Sequence, residues 1–397
     1  MLRRTVEPLL RTHAARMPAV VVTGPRQSGK STLCRATFPG LPYVLLEAPD
    51  QRAALAQDPR GFVARYRDGA IFDEVQRAPE LLSWLQELID AEPRRTGRFI
   101  LTGSHQLLMM EKVSQTLAGR VALLTLLPFS LEELAADGRP LPDLWTLVFT
   151  GGYPRLHDQG LPPSDWLADY FATYVERDVR DVLKVERLAA FETFIRLCAA
   201  RSAQLLNLNG LGADAGVSQP TARGWLSALQ ASYVATTLGA WHANPTKRLV
   251  RAPKLHLFDS GLLCWLVGLR SPEQLALHPL RGPIFETWVF TELLKARLHR
   301  GLAPDLHHYR DHAGREIDIV LADASAAQAI EVKSTETPFL DPLLAMKRID
   351  PLLAAPWDRK LHRTVIYAGA ETLTATDGTL RSWRDLARPD WVTPQAG

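Results

Sequence analysis

Gly24, four intervening residues, and then Gly29, Lys30 and Ser31 form a run whose residue types suit the cradling of a phosphate. The two glycines let the backbone wrap closely and aim its N–H groups at an anion, with Pro25, Arg26, Gln27 and Ser28 forming the loop between them. Lys30 is suited to neutralising the outer phosphate oxygens. The Ser31 hydroxyl is a magnesium ligand in such loops, and Thr32 continues the run. Apolar Val20, Val21 and Val22 precede the loop and a helical pattern follows it, so the context is strand, loop, helix. The positions predict ATP as ligand and Mg2+ as its companion. The rival reading, a glycine-rich turn that binds nothing, is disfavoured by that context.

Asp73 and Glu74 close a second apolar run, Ala70, Ile71 and Phe72. An aspartate there can hold the magnesium and the following glutamate can polarise an attacking water, a task hydrolysis needs and simple phosphate transfer does not. A third run, Phe99 to Thr102, leads to Gly103 and Ser104, so a small hydroxyl emerges near the same acids. Ser104 can orient the water or touch the γ-phosphate; a plain strand-ending turn explains it equally well. Arg120 stands between a helical stretch and the run Val121 to Leu127. AAA-type ATPases carry in that place an arginine that reaches a neighbouring subunit's γ-phosphate, which predicts a homo-oligomer. A surface arginine at a helix C-terminus is the alternative.

The elements that must position these groups follow from the alternation of short apolar runs with helical patterns. Ala19 to Thr23, Tyr43 to Leu46, Ala70 to Asp73, Phe99 to Thr102 and Val121 to Leu127 read as strands of a parallel sheet, with a helix over Pro79 to Ala91. The whole chain has 397 residues, enough for two or three domains. Its 46 basic and 43 acidic residues nearly balance, so any nucleic-acid site must be local. Cys34, Cys198 and Cys264 lie far apart and lack metal-ligand spacing, reading as buried thiols in a reducing compartment. No apolar stretch is long enough to span a bilayer, and the first residues lack the apolar core of a secretory signal. The expected location is the cytoplasm, with no membrane partner.

Beyond the sheet, Asp165 to Ala203 turns helical, and Leu211 to Leu229 holds two short helices around Gly216 before alternating residues reach Leu257. Helix, turn, helix and hairpin in that order predict a winged helix. Ser218 suits the N-cap of the second helix, and Arg223 lies in its opening turns. Lys247, Arg248, Arg251 and Lys254 then form a basic strip with no acid between Asn244 and His256, a candidate for tracking DNA phosphates. A wing that merely packs on the nucleotide-binding core is the competing reading. His307, His308 and His312 are read as solvated loop histidines, lacking a carboxylate or cysteine at ligand spacing.

VVTGPRQSGKSTL, IFDEVQRAPELL, FILTGS, LAGRV and LPFSLEEL, followed by GGYPR and YVERDVRDV, resemble the bacterial and archaeal ATP-binding proteins that join an AAA-type core to a C-terminal domain of unknown function. The likeness runs over nearly the whole chain. In that family the C-terminal domain is similar to restriction-endonuclease-like folds of the PD-(D/E)xK kind, with a helix acid, an Asp and then Glu-x-Lys. The resemblance places these roles on Glu286, Asp318, Glu331 and Lys333, with the three acids as metal ligands; Ile317 stands where the motif has proline. Glu331 and Lys333, two apart on a strand, would share a face, and a hairpin over Asp323 to Gln328 would bring Asp318 alongside.

The expected architecture is α/β throughout. An AAA-type P-loop core spans 1–160, a helical and winged-helix connector 161–275, and a PD-(D/E)xK nuclease-like domain 276–397. The expected function is Mg2+-dependent ATP hydrolysis acting on DNA or a nucleoprotein complex, with a nuclease-like domain whose activity is left open. The alternative is a nucleotide switch or protein-remodelling ATPase whose C-terminal domain only binds a partner.

Overall fold

A computed structural model describes residues 2–104, 115–175, 188–241, 252–311, 313–322, 326–348 and 360–388. The chain divides into two compact units. The first takes residues up to Phe129 and, from far along the chain, Ala231–Tyr233 and Leu298–Leu302; the second takes the remainder.

In the first unit, β1 (Ala19–Thr23), β2 (Tyr43–Leu45), β3 (Ala70–Asp73), β4 (Phe99–Gly103) and β5 (Val121–Thr125) form a parallel sheet in the order β2-β3-β4-β1-β5. β1, β3 and β4 are buried along their whole length, which is why they read as continuous apolar runs and not as alternating ones. Successive side chains still point to opposite faces. Val21, Phe72 and Leu101 pack with Leu85 and Ile89 of α3 (Leu81–Ala91), whereas Val20, Val22, Ile71 and Ile100 pack with Leu10 of α1 (Glu7–Arg16) and with Leu33 and Cys34 of α2 (Lys30–Thr37). Burying each Leu or Phe in such layers contributes about 2 kcal/mol.

The two distant segments are fastened to this unit by polar contacts. The Tyr233 hydroxyl donates to Thr23 Oγ1 at 2.8 Å, and the backbone N–H of Leu127 reaches His299 Nε2 at 3.4 Å. Tyr233 has a left-handed backbone, φ 57°, which costs a bulky residue energy and requires firm surroundings to persist.

The second unit contains a helical stretch followed by α4 (Leu188–Ala200), β6 (Gln204–Leu205), α5 (Leu208–Asp214), α6 (Gln219–Ala231, its last residue belonging to the first unit), β7 (Ala235–Ala240) and β8 (Lys254–Leu257). Then come α7 (Arg281–Leu298), β9 (Leu306–Arg310), β10 (Glu316–Ala322), β11 (Ala326–Lys333), α8 (Asp341–Lys347), β12 (Lys360–Tyr367), β13 (Leu373–Ala375) and β14 (Gly378–Ser382). All nine strands join one sheet, ordered β13-β14-β12-β11-β10-β9-β7-β8-β6. β9, β10 and β11 are antiparallel neighbours, and β12 lies parallel to β11.

The segments 161–275 and 276–397 meet through β7 and β9, paired in parallel with Gly239 opposite His307 and Ala240 opposite His308. A shared ladder of backbone hydrogen bonds makes one sheet of what sequence alone divides in two.

Candidate functional site

The phosphate loop begins where β1 ends. Gly24 has φ 142°, and a Cβ there would fall 2.0 Å from the carbonyl oxygen of Leu126, so only glycine fits. Gly29, with φ 93°, turns the chain into α2. Lys30 is the first residue of that helix and its ammonium donates to the carbonyls of Gly24 at 2.9 Å and Pro25 at 2.8 Å. Burial pushes its pKa below the ordinary lysine value, opposed by the nearby Glu74 and Asp73. Gln27 and Thr32 are exposed, Arg26 half-buried, and Ser28 buried.

β4 lies between β1 and β3 in the sheet, so its tip stands beside both the loop and the acids. The Ser31 hydroxyl lies 2.8 and 3.0 Å from the two Asp73 oxygens. The hydroxyls of Thr102 and Tyr43 donate to Asp73 as well, one to each oxygen. Burial, followed by the bond to Asp73, pushes the Tyr43 phenol above its usual range. Glu74 has a left-handed backbone, φ 58°, and its N–H donates to Thr102 Oγ1 at 3.3 Å. A strained non-glycine residue at a strand end is a familiar mark of a functional site. Its carboxylate accepts from the Ser104 hydroxyl at 3.2 Å and from the Gln76 amide, which also donates to Ser104 at 3.2 Å.

Sequence reasoning identifies Ser31, Asp73, Glu74 and Ser104 as site candidates, and the fold brings them together. It overlooks Tyr43, Gln76 and Thr102, whose signal is only a polar side chain near a strand end. It also overlooks Arg4, whose buried guanidinium donates to the Ser28 carbonyl at 2.8 Å and the Leu127 carbonyl at 2.6 Å, tying the loop to the chain's first residues. Arg120 lies apart from this group. It makes a two-pronged pair with Asp90 of α3, at 2.6 and 2.9 Å, and this bond holds the Asp90 carboxyl below the usual range.

The C-terminal quartet also converges. Lys333 is 2.6 Å from Glu331 and 4.0 Å from Asp318, and the Val332 N–H donates to Asp318 at 2.9 Å. Burial, followed by the charge of Asp318, pushes the carboxyls of Glu286 and Glu331 above the ordinary carboxylate range. Lys254 must be corrected: it is no part of a surface strip. Its ammonium is buried and pairs with Glu316 at 2.6 Å, Glu286 at 2.8 Å and Asp318 at 3.3 Å. Burial disfavours its charge, but Glu286 and Asp318 outweigh that and hold its pKa above the ordinary value. The same ammonium therefore touches two of the acids expected as metal ligands, Glu286 and Asp318, while the third, Glu331, pairs with Lys333. Among the described residues, no group of three or more His, Cys, Asp or Glu side chains is arranged to hold a metal ion.

Of the remaining basic candidates, Arg223 is exposed on α6, while Lys247, Arg248 and Arg251 lie outside the described residues. His308 is not a solvated loop residue. It is buried in β9, its Nε2 lies 3.2 Å from the Ala252 carbonyl, and burial lowers its pKa to about 4. His312 falls outside the described residues. The three cysteines are free and buried, as expected.

Residues 16–135 match the family described as an AAA domain. The first unit is an AAA-type P-loop ATPase core. Residues 141–273 and 281–384 match two domains of unknown function, DUF8612 and DUF4143. Among curated proteins, uncharacterized proteins of Mycobacterium tuberculosis and Mycobacterium bovis are each 29% identical over 383 residues, covering 94% of this chain and 82% of theirs. Among solved structures, a Walker-type ATPase of Pyrococcus abyssi is similar at 14% identity, with a TM-score of 0.45, covering 66% of this chain and 94% of that one. No helix among the described residues is long and apolar enough to cross a membrane.

Proposed function

We propose that this chain is a Mg2+-dependent ATP hydrolase of the cytoplasm that works as a homo-oligomer. The observation carrying this reading is the Glu74 carboxylate, fixed by Ser104 and Gln76 one residue beyond an Asp73 that reaches Ser31 of the phosphate loop. A carboxylate held there can polarise water, whereas a kinase places its acceptor hydroxyl instead. The residues fit magnesium: a hydroxyl and a carboxylate 2.8 Å apart are the hard oxygen donors that ion prefers. Ser31 and Asp73 would hold it, and when bound it neutralises charge on the β- and γ-phosphates. Lys30 would leave the carbonyls of Gly24 and Pro25 for the phosphate oxygens, and Gly24, Gly29 and the loop amides would cradle them. Arg120 would act on a neighbouring copy's γ-phosphate after releasing Asp90.

The test is steady-state and single-turnover ATP hydrolysis with direct binding measurements. Lys30→Ala should lose both turnover and affinity. Glu74→Gln should keep ATP but hydrolyse it about a hundredfold more slowly, because the phosphate cradle is spared. Parent-like turnover in both variants would overturn the assignment.

A second reading concerns what the hydrolysis serves. α4, β6, α5, α6, β7 and β8, with the three strands ordered β7-β8-β6, follow the element order of a winged helix. Arg223 is exposed on its third helix, α6. Farther along, α7, three antiparallel strands, α8 and β12 follow the element order of a nuclease-like fold, and both features support action on DNA or a nucleoprotein complex. Turnover measured with single-stranded, duplex and branched DNA at stated salt discriminates: stimulation supports DNA action. Indifference to all three favours a nucleotide switch or protein-remodelling ATPase whose C-terminal segment binds a protein.

A further inference from the structure

The acid cluster of the second unit has a cation built into it. Lys254 opens β8, and its side chain is only 2% exposed. An ammonium has three N–H donors, and three carboxylates stand around this one: Glu316 at 2.6 Å, Glu286 at 2.8 Å and Asp318 at 3.3 Å. The other Asp318 oxygen accepts the Val332 N–H at 2.9 Å, and Glu331 is taken by Lys333 at 2.6 Å. The helix acid and the strand Asp of the nuclease-like quartet thus share one ammonium, and the Glu of Glu-x-Lys is bound by its own lysine.

A divalent ion does not fit this arrangement. Mg2+ needs oxygen atoms at roughly 2.1 Å in an octahedron, and an ion held by Glu286 and Asp318 would have to share their oxygens with a positive group already in contact. Two like charges at such distance in a buried site repel strongly. Either the ammonium leaves, which its three carboxylate partners oppose, or the metal stays out.

We propose that Lys254 is the resident cation of this cluster, its ammonium standing where a divalent metal would, so that Glu286, Asp318 and Glu331 are structural acids and not ligands of a hydrolytic ion. The lysine arrives from outside the quartet, 32 residues before Glu286 and 64 before Asp318. The inference is independent of ATP hydrolysis, because none of these residues belongs to the phosphate site.

Mn2+ binding to the full-length, nucleotide-free protein, counted by electron paramagnetic resonance, tests it. Wild type and Asp318→Asn should bind Mn2+ identically, since the cluster holds none in either. Lys254→Met should acquire a site at least about tenfold tighter than the background, as removal of one adjacent positive charge implies, and Lys254→Met/Asp318→Asn should lose it again. Loss of a site in Asp318→Asn alone overturns the proposal, as does a folded Lys254→Met with no gain. Should Lys254→Met fail to fold, acylation of wild type followed by mass spectrometry decides. Lys254 should resist labelling equally with and without saturating Mn2+, and Mn2+-dependent labelling would show displacement and overturn the idea.

Discussion

Asp73 accepts from three hydroxyls, those of Ser31, Tyr43 and Thr102, and each constrains it differently. Ser31 belongs to the loop that must also serve a nucleotide, so its bond is the one expected to yield; Tyr43 and Thr102 remain and keep the carboxylate aimed. Thr102 has a second task, since its oxygen accepts the N–H of the strained Glu74. Thr102→Val keeps the shape but removes both interactions. It should lower kcat for ATP about tenfold with little change in nucleotide affinity, and lower stability by about 1–2 kcal/mol because a buried donor and acceptor lose their partner. Kinetics beside a urea melt checks both. Such residues are poorly legible in sequence: Gly24, Lys30 and Asp73 announce themselves by type and spacing, but a lone Thr or Tyr near a strand end looks like any other.

At the scale of elements, β1, β3 and β4 are legible because burial on both faces leaves little choice but Val, Ile, Leu and Phe. α1 is not, since Glu7–Arg16 buries only Leu10 and Ala14 and carries a weak apolar stripe. β12 is obscured by His362, Arg363 and Thr364, and the pairing of β7 with β9 is a contact between distant segments that no local periodicity encodes. Lys254 misleads for the same reason: its basic neighbours are local, while the acids that claim it come from other elements. Arg120 also belongs here, because it ties the turn before β5 to α3 through Asp90. If it acts across a subunit boundary, mixing Arg120→Ala with Lys30→Ala should restore part of the ATP turnover, each copy supplying what the other lacks. No recovery in oligomers shown to be mixed would count against action in trans.

Across the whole molecule, the buried histidine of β9 gives a prediction about acid. Burial, reinforced by the charge of Lys254, lowers His308 to about 4, so protonation favours the unfolded chain, where imidazole titrates near roughly 6.5. The stability it preserves is complete above that value and is lost as pH falls from there toward about 4, amounting to about 3 kcal/mol. Glu286 and Glu331, raised by burial, pull the opposite way, so the informative quantity is a difference. His308→Gln, which can still donate to the Ala252 carbonyl, should show a shallower fall than wild type in denaturant melts taken between pH 7 and pH 4. An identical slope would remove His308 from the account.

The fastening of Tyr233 to Thr23 and of His299 to Leu127 also bears on how the protein is made. The ATPase core is discontinuous in the gene: its last pieces are residues 231–233 and 298–302. A ribosome working from the N-terminus therefore releases the nucleotide loop long before the segments that complete its surroundings. Domains that fold as they are synthesised usually close early, whereas the last pieces of this unit emerge only when most of the chain has been made. A fragment ending at Phe129 would carry every residue proposed to bind phosphate yet leave Thr23 without its tyrosine, beside the glycine on which the loop turns. Inheritance follows the same constraint, because a recombination event that exchanged the second half would carry away part of the first.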